Sequence, residues 1–192
     1  VGLFLLLPSF LGGFVPKNWG VLARNVLEGI VRIVIFLMFM WSVSHMKDIR
    51  RTFEYHGAEH KCINCIEHGL PLTVDNVRIS SRQHKRCGTS FLFFVLAISI
   101  ILLMLIQVES PLMRVIVRIA LIPVIAGISY EFIRFAGNSE SWIANLLSKP
   151  GLLIQRLTTK EPTEDMVEVA IASVEAVLDW RAYLEEQAKS EK

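Results

Sequence analysis

The sequence has little cysteine and little charge, and both shortages narrow the class of protein. Cysteine occurs only three times, at Cys62, Cys65 and Cys87. So small and odd a number does not build a disulfide framework, and thiols that cluster with histidines favour reduced cysteine, with metal ligation as one use. Charged residues make up 20% of the chain and apolar residues 53%. This balance is too apolar for an ordinary soluble domain and indicates a membrane protein with a polar portion.

Initiator methionine, internal repeats and low-complexity segments are also missing from the chain. It opens at Val1 inside an apolar run, with no basic region before it, and so it does not begin like a signal peptide. We expect that further residues precede Val1. The run 1–15, which Pro8 interrupts, is then the remainder of a membrane helix.

Later apolar runs are long enough to cross about 30 Å of hydrocarbon. The sequence therefore predicts an all-α, polytopic helical membrane protein with about four transmembrane helices, at 1–15, 26–44, 90–108 and 113–135. Charged residues within these runs have two interpretations, because such groups either line a path for an ion or substrate or pair between helices. The residues concerned are Arg32, Arg118 and Glu131.

Two polar segments remain, 45–89 and 138–192. In the second, we predict an interfacial stretch at Ser141–Leu147 that Pro150-Gly151 ends, and then an amphipathic helix with Thr163 as its N-cap. That helix either docks on its own protein or binds a partner. Lys and Arg are concentrated in 45–89, so the positive-inside rule makes this loop and the C-terminus cytoplasmic.

The first polar segment holds the residues that could carry chemistry. His56 and His60 stand four apart, which places both imidazoles on one face of a helix. With Glu59 they form H-x-x-E-H, the inverted zinc-peptidase pattern in which the glutamate is the catalytic base. This short pattern predicts a catalytic role for Glu59 only if a metal site forms around it.

Further ligands follow along the chain. His84 and Cys87 complete an inventory of four nitrogen and sulfur ligands with His56 and His60, as in a tetrahedral zinc site, and Glu67 is another candidate metal ligand. A site closed by four side chains would be structural. A site with one water ligand would allow Glu59 or Glu67 to activate that water.

Each of these residues also has a simpler interpretation. The histidines could be ordinary polar or capping residues at the membrane surface, and Cys62 and Cys65 could be small buried apolar side chains. The basic residues near His84 could bind anionic lipid headgroups instead of serving a site. They are Arg82, Lys85 and Arg86.

Long ordered motifs in this chain resemble those of the YqhQ-like family of bacterial membrane proteins, domain of unknown function 1385. The motifs are KDIRRTFEYHGAEHKCINCIEHG, LTVDNVR, HKRCGTSF, LIPVIAGISYE, PGLLIQRLTTKEP and MVEVAIA, and they cover about Leu22 to Ala172. The resemblance implies a polytopic inner-membrane protein with a further glycine-rich N-terminal part. It does not imply an activity.

The recurrent positions of that family map onto two stretches of this chain. They are His56, Gly57, Ala58, Glu59, His60, Lys61 and Glu67, and then His84, Arg86, Cys87, Gly88 and Thr89. Family members often have Pro where this chain has Lys85. They need not have cysteine at Cys62 and Cys65, which argues against these two as ligands.

We therefore expect a multi-pass protein of the bacterial plasma (inner) membrane. The function expected first is an accessory or scaffold subunit of a membrane complex, in membrane protein insertion or assembly, with a zinc-stapled cytoplasmic loop. The alternatives are a metal-dependent membrane hydrolase that uses the H-x-x-E-H segment and, third, a small transporter. Whichever function holds, we expect the protein to contact the lipid bilayer, anionic lipid headgroups and another protein in the membrane. We expect no binding of nucleic acid.

Overall fold

The computed structural model describes residues 7–12, 14, 16, 20–106, 110–139 and 141–190. Over these residues the regular secondary structure is entirely helical, which confirms the predicted all-α class for this part of the chain. The helices are α1 (Leu7–Gly12), α2 (Gly20–Ser44), α3 (Lys47–Glu67), α4 (Val74–Ile79), α5 (Gly88–Leu105), α6 (Pro111–Ala120), α7 (Ile122–Asn138), α8 (Trp142–Thr158), α9 (Glu164–Glu175) and α10 (Trp180–Ser190).

Three stretches of the described chain are long and apolar enough to cross a membrane. They are Leu22–Ser44 in α2, Gly88–Leu105, which is α5, and Val115–Asn138, which runs through α6 and α7. The fourth predicted span, 1–15, lies in part outside the described residues, and α1 within it has only 6 residues. Three of the predicted spans are thus candidate spans within the described residues, and the prediction of a fourth is not tested by them.

The last of these spans is not one continuous helix. The predicted run 113–135 is divided at Leu121, where α6 ends and α7 begins, and Pro123 lies in the first turn of α7. Proline has no backbone N–H and its ring clashes with the preceding turn, so a helix tends to restart at such a position. Pro123 is therefore the local reason why this span is built from two helices, α6 and α7.

The chain folds into two compact units. One, here the membrane unit, comprises Val1–Trp41 and Arg86–Gly151; the other, here the histidine unit, comprises Ser42–Lys85 and Leu152–Lys192. In the membrane unit, α2 and α5 approach closely at Gly29, where an added Cβ would lie 2.7 Å from the Ile100 side chain. The amide Nδ2 of Asn25 donates to the backbone oxygen of Leu103 at 3.2 Å and ties the same two helices.

The histidine unit is built around α3, which packs against α4 and α9. Burial of apolar side chains from these elements supplies its main stabilisation. The core contains Ala58, Cys62, Cys65, Ile66, Leu72, Val77, Val167, Ala170, Val174 and Trp180. The amphipathic helix expected after Thr163 is α9, and its buried side is part of this core. The buried side of α9 therefore docks on its own protein.

Turn residues fix how α3 leads into α4. Gly69 adopts φ +74°, a backbone conformation that L side chains rarely take, directly after α3. Thr73 then caps α4, since its hydroxyl accepts a hydrogen bond from the backbone N–H of Asn76 at 3.4 Å. This cap fixes the start of the short helix α4.

One predicted break does not occur. Pro150-Gly151 was expected to end the interfacial segment, but Pro150 lies inside α8, which continues to Thr158. The residues beyond it are held by burial, because Ile154, Gln155 and Thr158 are all among the buried side chains of the histidine unit. Packing here outweighs the local cost of a proline within a helix.

Candidate metal centre in the histidine unit

One face of α3 carries a row of polar side chains at helical spacing. His56, His60 and Asn64 follow one another at intervals of four residues, which stacks them along one side of the helix. His60 and Asn64 are buried. Because buried polar groups must find hydrogen-bond partners, this row determines which loops can pack on α3.

Hydrogen bonds fix the orientation of His56 and His60. Nδ1 of His56 donates to the backbone oxygen of Thr158 at 3.0 Å, and Nδ1 of His60 donates to the backbone oxygen of Arg82 at 2.8 Å. A carbonyl oxygen can only accept, so Nδ1 carries the proton in both rings. In the neutral imidazole this leaves Nε2 as the nitrogen with a lone pair, the form that binds metals.

The two rings also lie next to each other. Their centroids are 4.3 Å apart, and each ring offers a nitrogen within 4.8 Å of one on the other. Two nitrogens bound at 2.0–2.1 Å to one tetrahedral zinc are about 3.3 Å apart. A small adjustment of the side chains would therefore let one ion bind both histidines.

His84 is the third histidine of this region. Its ring centroid is 5.9 Å from that of His60, and its Nε2 donates to Oε2 of Glu67 at 2.9 Å. The carboxylate fixes Nε2 as the protonated nitrogen, so a neutral His84 presents Nδ1 as its acceptor. Carboxylates that orient a metal-binding histidine in this way are common around zinc.

The backbone of His84 is held by Gln155 of α8. Oε1 of Gln155 accepts from the N–H of His84 at 2.9 Å, and Nε2 of Gln155 donates to the carbonyl oxygen of His84 at 2.8 Å. Gln155 is fully buried, so these hydrogen bonds form away from competing water. The position of His84 is therefore set by its backbone as well as by its ring.

Asn64 and Lys61 bind the backbone of α4 and of the chain that follows it. Nδ2 of Asn64 donates to the backbone oxygens of Ser81 at 2.7 Å and Gln83 at 3.0 Å. Nζ of Lys61, which is buried, donates to the backbone oxygen of Arg78 at 2.7 Å and pairs with Glu161 at 2.7 Å. The partners compensate for the burial of the ammonium group.

Glu59 lies on a different side of α3. Its side chain is exposed, and with His56 it lines a groove of about 660 Å³ between residues of α3 and α9. Phe53, Ile63 and Val174 give this groove apolar walls. Glu59 is thus placed beside one of the two central histidines and open to the groove.

The cysteines occupy different environments. Cys62 and Cys65 are fully buried in the apolar core, and Cys65 donates its thiol to the backbone oxygens of Leu70 and Pro71 at 3.6 and 3.4 Å. Burial, with smaller contributions from the charges of Cys65 and Glu59, raises the pKa of Cys62 to about 12. A thiol that stays protonated is a poor metal ligand, because the thiolate is the binding form.

Cys87 belongs to the membrane unit, where it is the N-cap of α5. Its Sγ accepts from the backbone N–H of Thr89 at 3.4 Å. It follows His84 by three residues in the chain. The histidine unit itself therefore brings together His56, His60, His84 and Glu67, while the place of Cys87 as a ligand remains a prediction from the sequence.

Two residues of this framework were not singled out by sequence reasoning. Asn64 could have been found, because it continues the four-residue spacing of His56 and His60. Gln155 had no such signal, since it meets His84 across 71 positions of sequence. Lys61 was noticed only through the resemblance to a family.

Helical architecture and candidate spans define a helical membrane protein with a polar unit that holds a histidine cluster. The chain belongs to the family described as "Protein of unknown function (DUF1385)", whose model matches residues 1–180. It is 39% identical over 188 residues to "Uncharacterized protein YqhQ" of Bacillus subtilis (strain 168); the match covers 97% of this chain and 59% of that relative. The chain thus spans well under two thirds of that protein's length. No solved structure matches it significantly.

Proposed function

We propose that the histidine unit binds one zinc ion and that this protein is an accessory subunit of a bacterial inner-membrane complex, in membrane protein insertion or assembly. The observation that carries the metal site is the shared protonation pattern of His56 and His60. Both donate through Nδ1 to a backbone carbonyl, which leaves Nε2 as the nitrogen with the lone pair, and the two rings lie next to each other. His84 is the expected third ligand within this unit, and Glu67 orients it; Cys87 stays the fourth ligand that the sequence alone predicts.

A structural role for the metal agrees with what the histidines already hold in place. His60 binds the carbonyl of Arg82 in the loop after α4, and His56 binds the carbonyl of Thr158 at the end of α8. A zinc ion on both Nε2 atoms would lock these two remote segments onto α3. Ligation by four side chains is the usual composition of such structural sites.

The accessory role rests on the apolar surface near α9. Val177 is 87% exposed and Val169 is 51% exposed, and both line the groove that Glu59 and His56 share. Apolar side chains that line a groove are a typical contact for another protein. The concentration of Lys and Arg in 45–89 supports a cytoplasmic position for this surface.

Metal content tests the proposal directly. We would purify the full chain and compare it with a His56→Asn/His60→Asn variant, in which each asparagine keeps an N–H donor close to the position of Nδ1 but lacks Nε2. We expect about one zinc per chain in the parent protein and background zinc in the variant. His68→Asn, at the residue that follows the end of α3, is the matched control and should keep its zinc. A parent protein without zinc, or a double variant that retains it, would refute the site.

Crosslinking in native membranes tests the accessory role. A photoreactive residue at Val177 should give a crosslink to a second protein, whereas the same residue at Ile79, which is 79% exposed on α4, should not. If Val177 yields no crosslinked product, the accessory role fails while the metal site stands.

A reporter fusion tests the expected orientation. Alkaline phosphatase is active only outside the cytoplasm, so a phosphatase fused after α10 should be inactive if the C-terminus is cytoplasmic.

A metal-dependent hydrolase is the second candidate function, because Glu59 and His56 line the same groove. A water on the zinc could then be activated by Glu59. X-ray absorption of the zinc-loaded protein separates the two roles. Four side-chain ligands would exclude the hydrolase, and a water ligand that exchanges with solvent would favour it.

A further inference from the structure

The membrane unit contains a cavity of about 480 Å³ among α2, α5, α6 and α7. Most of its wall is apolar, and the contributing side chains include Phe36, Phe91, Leu96, Leu103 and Ile122. Its volume is in the range of about 300–1,000 Å³ that small-molecule sites occupy.

Two guanidinium groups interrupt this apolar wall, those of Arg32 and Arg118. Arg118 pairs with Glu28 at 2.7 Å, and Glu28 is only 2% exposed. Arg32 lines one small pocket together with Glu28 and Arg118. Among the residues that the structure describes, two guanidinium groups and one carboxylate thus lie together inside the membrane unit, where an uncompensated charge is costly.

Arg32 is the residue whose buried charge and unpaired N–H a ligand could satisfy. It is 5% exposed, and its buried Nε has no hydrogen-bond partner within the residues that the structure describes. A buried donor without a partner destabilises a fold unless something else satisfies it. A ligand at this position would supply an acceptor for this N–H, and the positive charge of Arg32 favours an anionic one.

We propose that this cavity binds an anionic lipid, with its phosphate on Arg32 and beside Arg118 and an acyl chain along the apolar wall. The planar guanidinium group forms paired, charge-assisted hydrogen bonds with phosphate oxygens. The apolar wall selects against a free phosphate, which would lose hydration there without any gain from the rest of the cavity. The two arginines and the apolar wall of the cavity together favour a ligand with an anionic head and an apolar chain.

Binding of defined lipids by the full-length protein tests the inference. The protein would be purified in detergent, delipidated and titrated with phosphatidylglycerol or with phosphatidylcholine. Native mass spectrometry would measure the lipid that stays bound. Inorganic phosphate and glycerol phosphate would be added as competitors. We expect retained phosphatidylglycerol, weaker phosphatidylcholine, and no displacement by either soluble phosphate.

Three variants assign the lipid to this cavity. Arg32→Gln should weaken phosphatidylglycerol binding about tenfold or more, as expected when a charged hydrogen bond is lost. Ala126→Phe should weaken it as well, because it fills the cavity and leaves both guanidinium groups intact. Arg134→Gln removes an exposed arginine of α7 outside the cavity and should leave binding unchanged.

Several outcomes would overturn the inference. Equal binding of the two lipids would remove the role of charge, and displacement by inorganic phosphate would identify a simple anion site. An unchanged affinity in Ala126→Phe, or an equal loss in Arg134→Gln, would place the lipid elsewhere on the protein. Absence of phosphatidylglycerol binding by the full-length protein would refute the inference outright.

Discussion

Oε2 of Glu67 accepts a hydrogen bond of 2.9 Å from Nε2 of His84, seventeen positions away along the chain. Glu67 lies at the end of α3, and His84 lies in the segment that leads to α5. The pair therefore joins the helix that carries His56 and His60 to the segment that carries His84. It also determines which nitrogen of His84 could reach a metal.

Removal of this carboxylate should weaken metal binding without unfolding the histidine unit. We expect Glu67→Ala to lower zinc affinity about 10–100-fold, the usual effect when a partner of a metal-binding histidine is lost. Glu67→Gln should recover part of the affinity, since an amide oxygen still accepts the hydrogen bond. Competition with a chromogenic chelator measures both. Glu54→Ala, on α3 but paired with Arg50, is the control, and equal affinity in all variants would show that Glu67 does not support the site.

Cys62 makes stability depend on alkaline pH. Its pKa is raised from 9.0 to about 12, mainly by burial. Between these values the unfolded chain has lost the proton and the folded chain keeps it, so the stability gained from the buried neutral thiol is present below pH 9 and declines as pH rises toward 12. We expect the melting temperature to fall more steeply above pH 9 in the parent protein than in Cys62→Ala.

The comparison of slopes separates this effect from cavity formation. Cys62→Ala also removes buried volume, and that lowers stability by a similar amount at every pH. Circular dichroism melts between pH 7 and 11 give both quantities. Parallel curves for the two proteins would contradict the pKa argument, and loss of zinc in Cys62→Ala would mean that this thiol is a ligand after all.

The helical class and the histidine pair could be predicted from the sequence because both depend on local spacing. Apolar runs give the spans, and four-residue intervals place His56 and His60 on one face. The carbonyl oxygens of Thr158 and Arg82 could not be predicted, because every residue has a carbonyl and no side chain marks the one that is used. These partners follow from the packing of remote segments.

Pro150 illustrates the opposite difficulty. Its local signal for a helix end is strong, but buried residues beyond it, such as Gln155 with its hydrogen bonds to His84, keep α8 helical. A prediction from local preference cannot weigh contacts that form 71 positions away. The break at Leu121 was missed for the related reason that the apolar pattern continues across it.

Gly57 is needed for the approach of the chain after α8 to α3. An added Cβ would lie 2.0 Å from the backbone oxygen of Lys160, whose N–H donates to the carbonyl oxygen of Phe53 at 2.9 Å. We expect Gly57→Ala to destabilise the protein by about 1–3 kcal/mol, as overpacking does. It should also weaken zinc binding, because the Thr158 carbonyl that orients His56 must move.

Gly127→Ala is the matched control for this substitution. Gly127 lies inside α7, and no atom of the described residues beyond its own helix backbone lies within 4 Å of an added Cβ there. Alanine should stabilise that helix by about 0.5–1 kcal/mol. Thermal unfolding in detergent and zinc competition measure both variants. Equal melting temperatures for the two substitutions would contradict the close approach at Gly57.

Glu28 and Arg118 should be strongly coupled, because their ion pair of 2.7 Å joins α2 to α6 and is largely buried. Loss of one partner leaves a buried charge, which costs about 3–5 kcal/mol. We expect Glu28→Gln and Arg118→Gln each to lower the free energy of unfolding. The double variant should lose less than the sum of the two single losses.

The exposed pair of Glu131 and Arg134 on α7 provides the comparison, with an expected coupling of about 0.2–1 kcal/mol. Unfolding in mixed micelles gives both cycles. Equal coupling for the two pairs would show that burial does not determine the strength of the Glu28–Arg118 pair, and Arg118 would then be available to an anionic ligand without loss of the bundle.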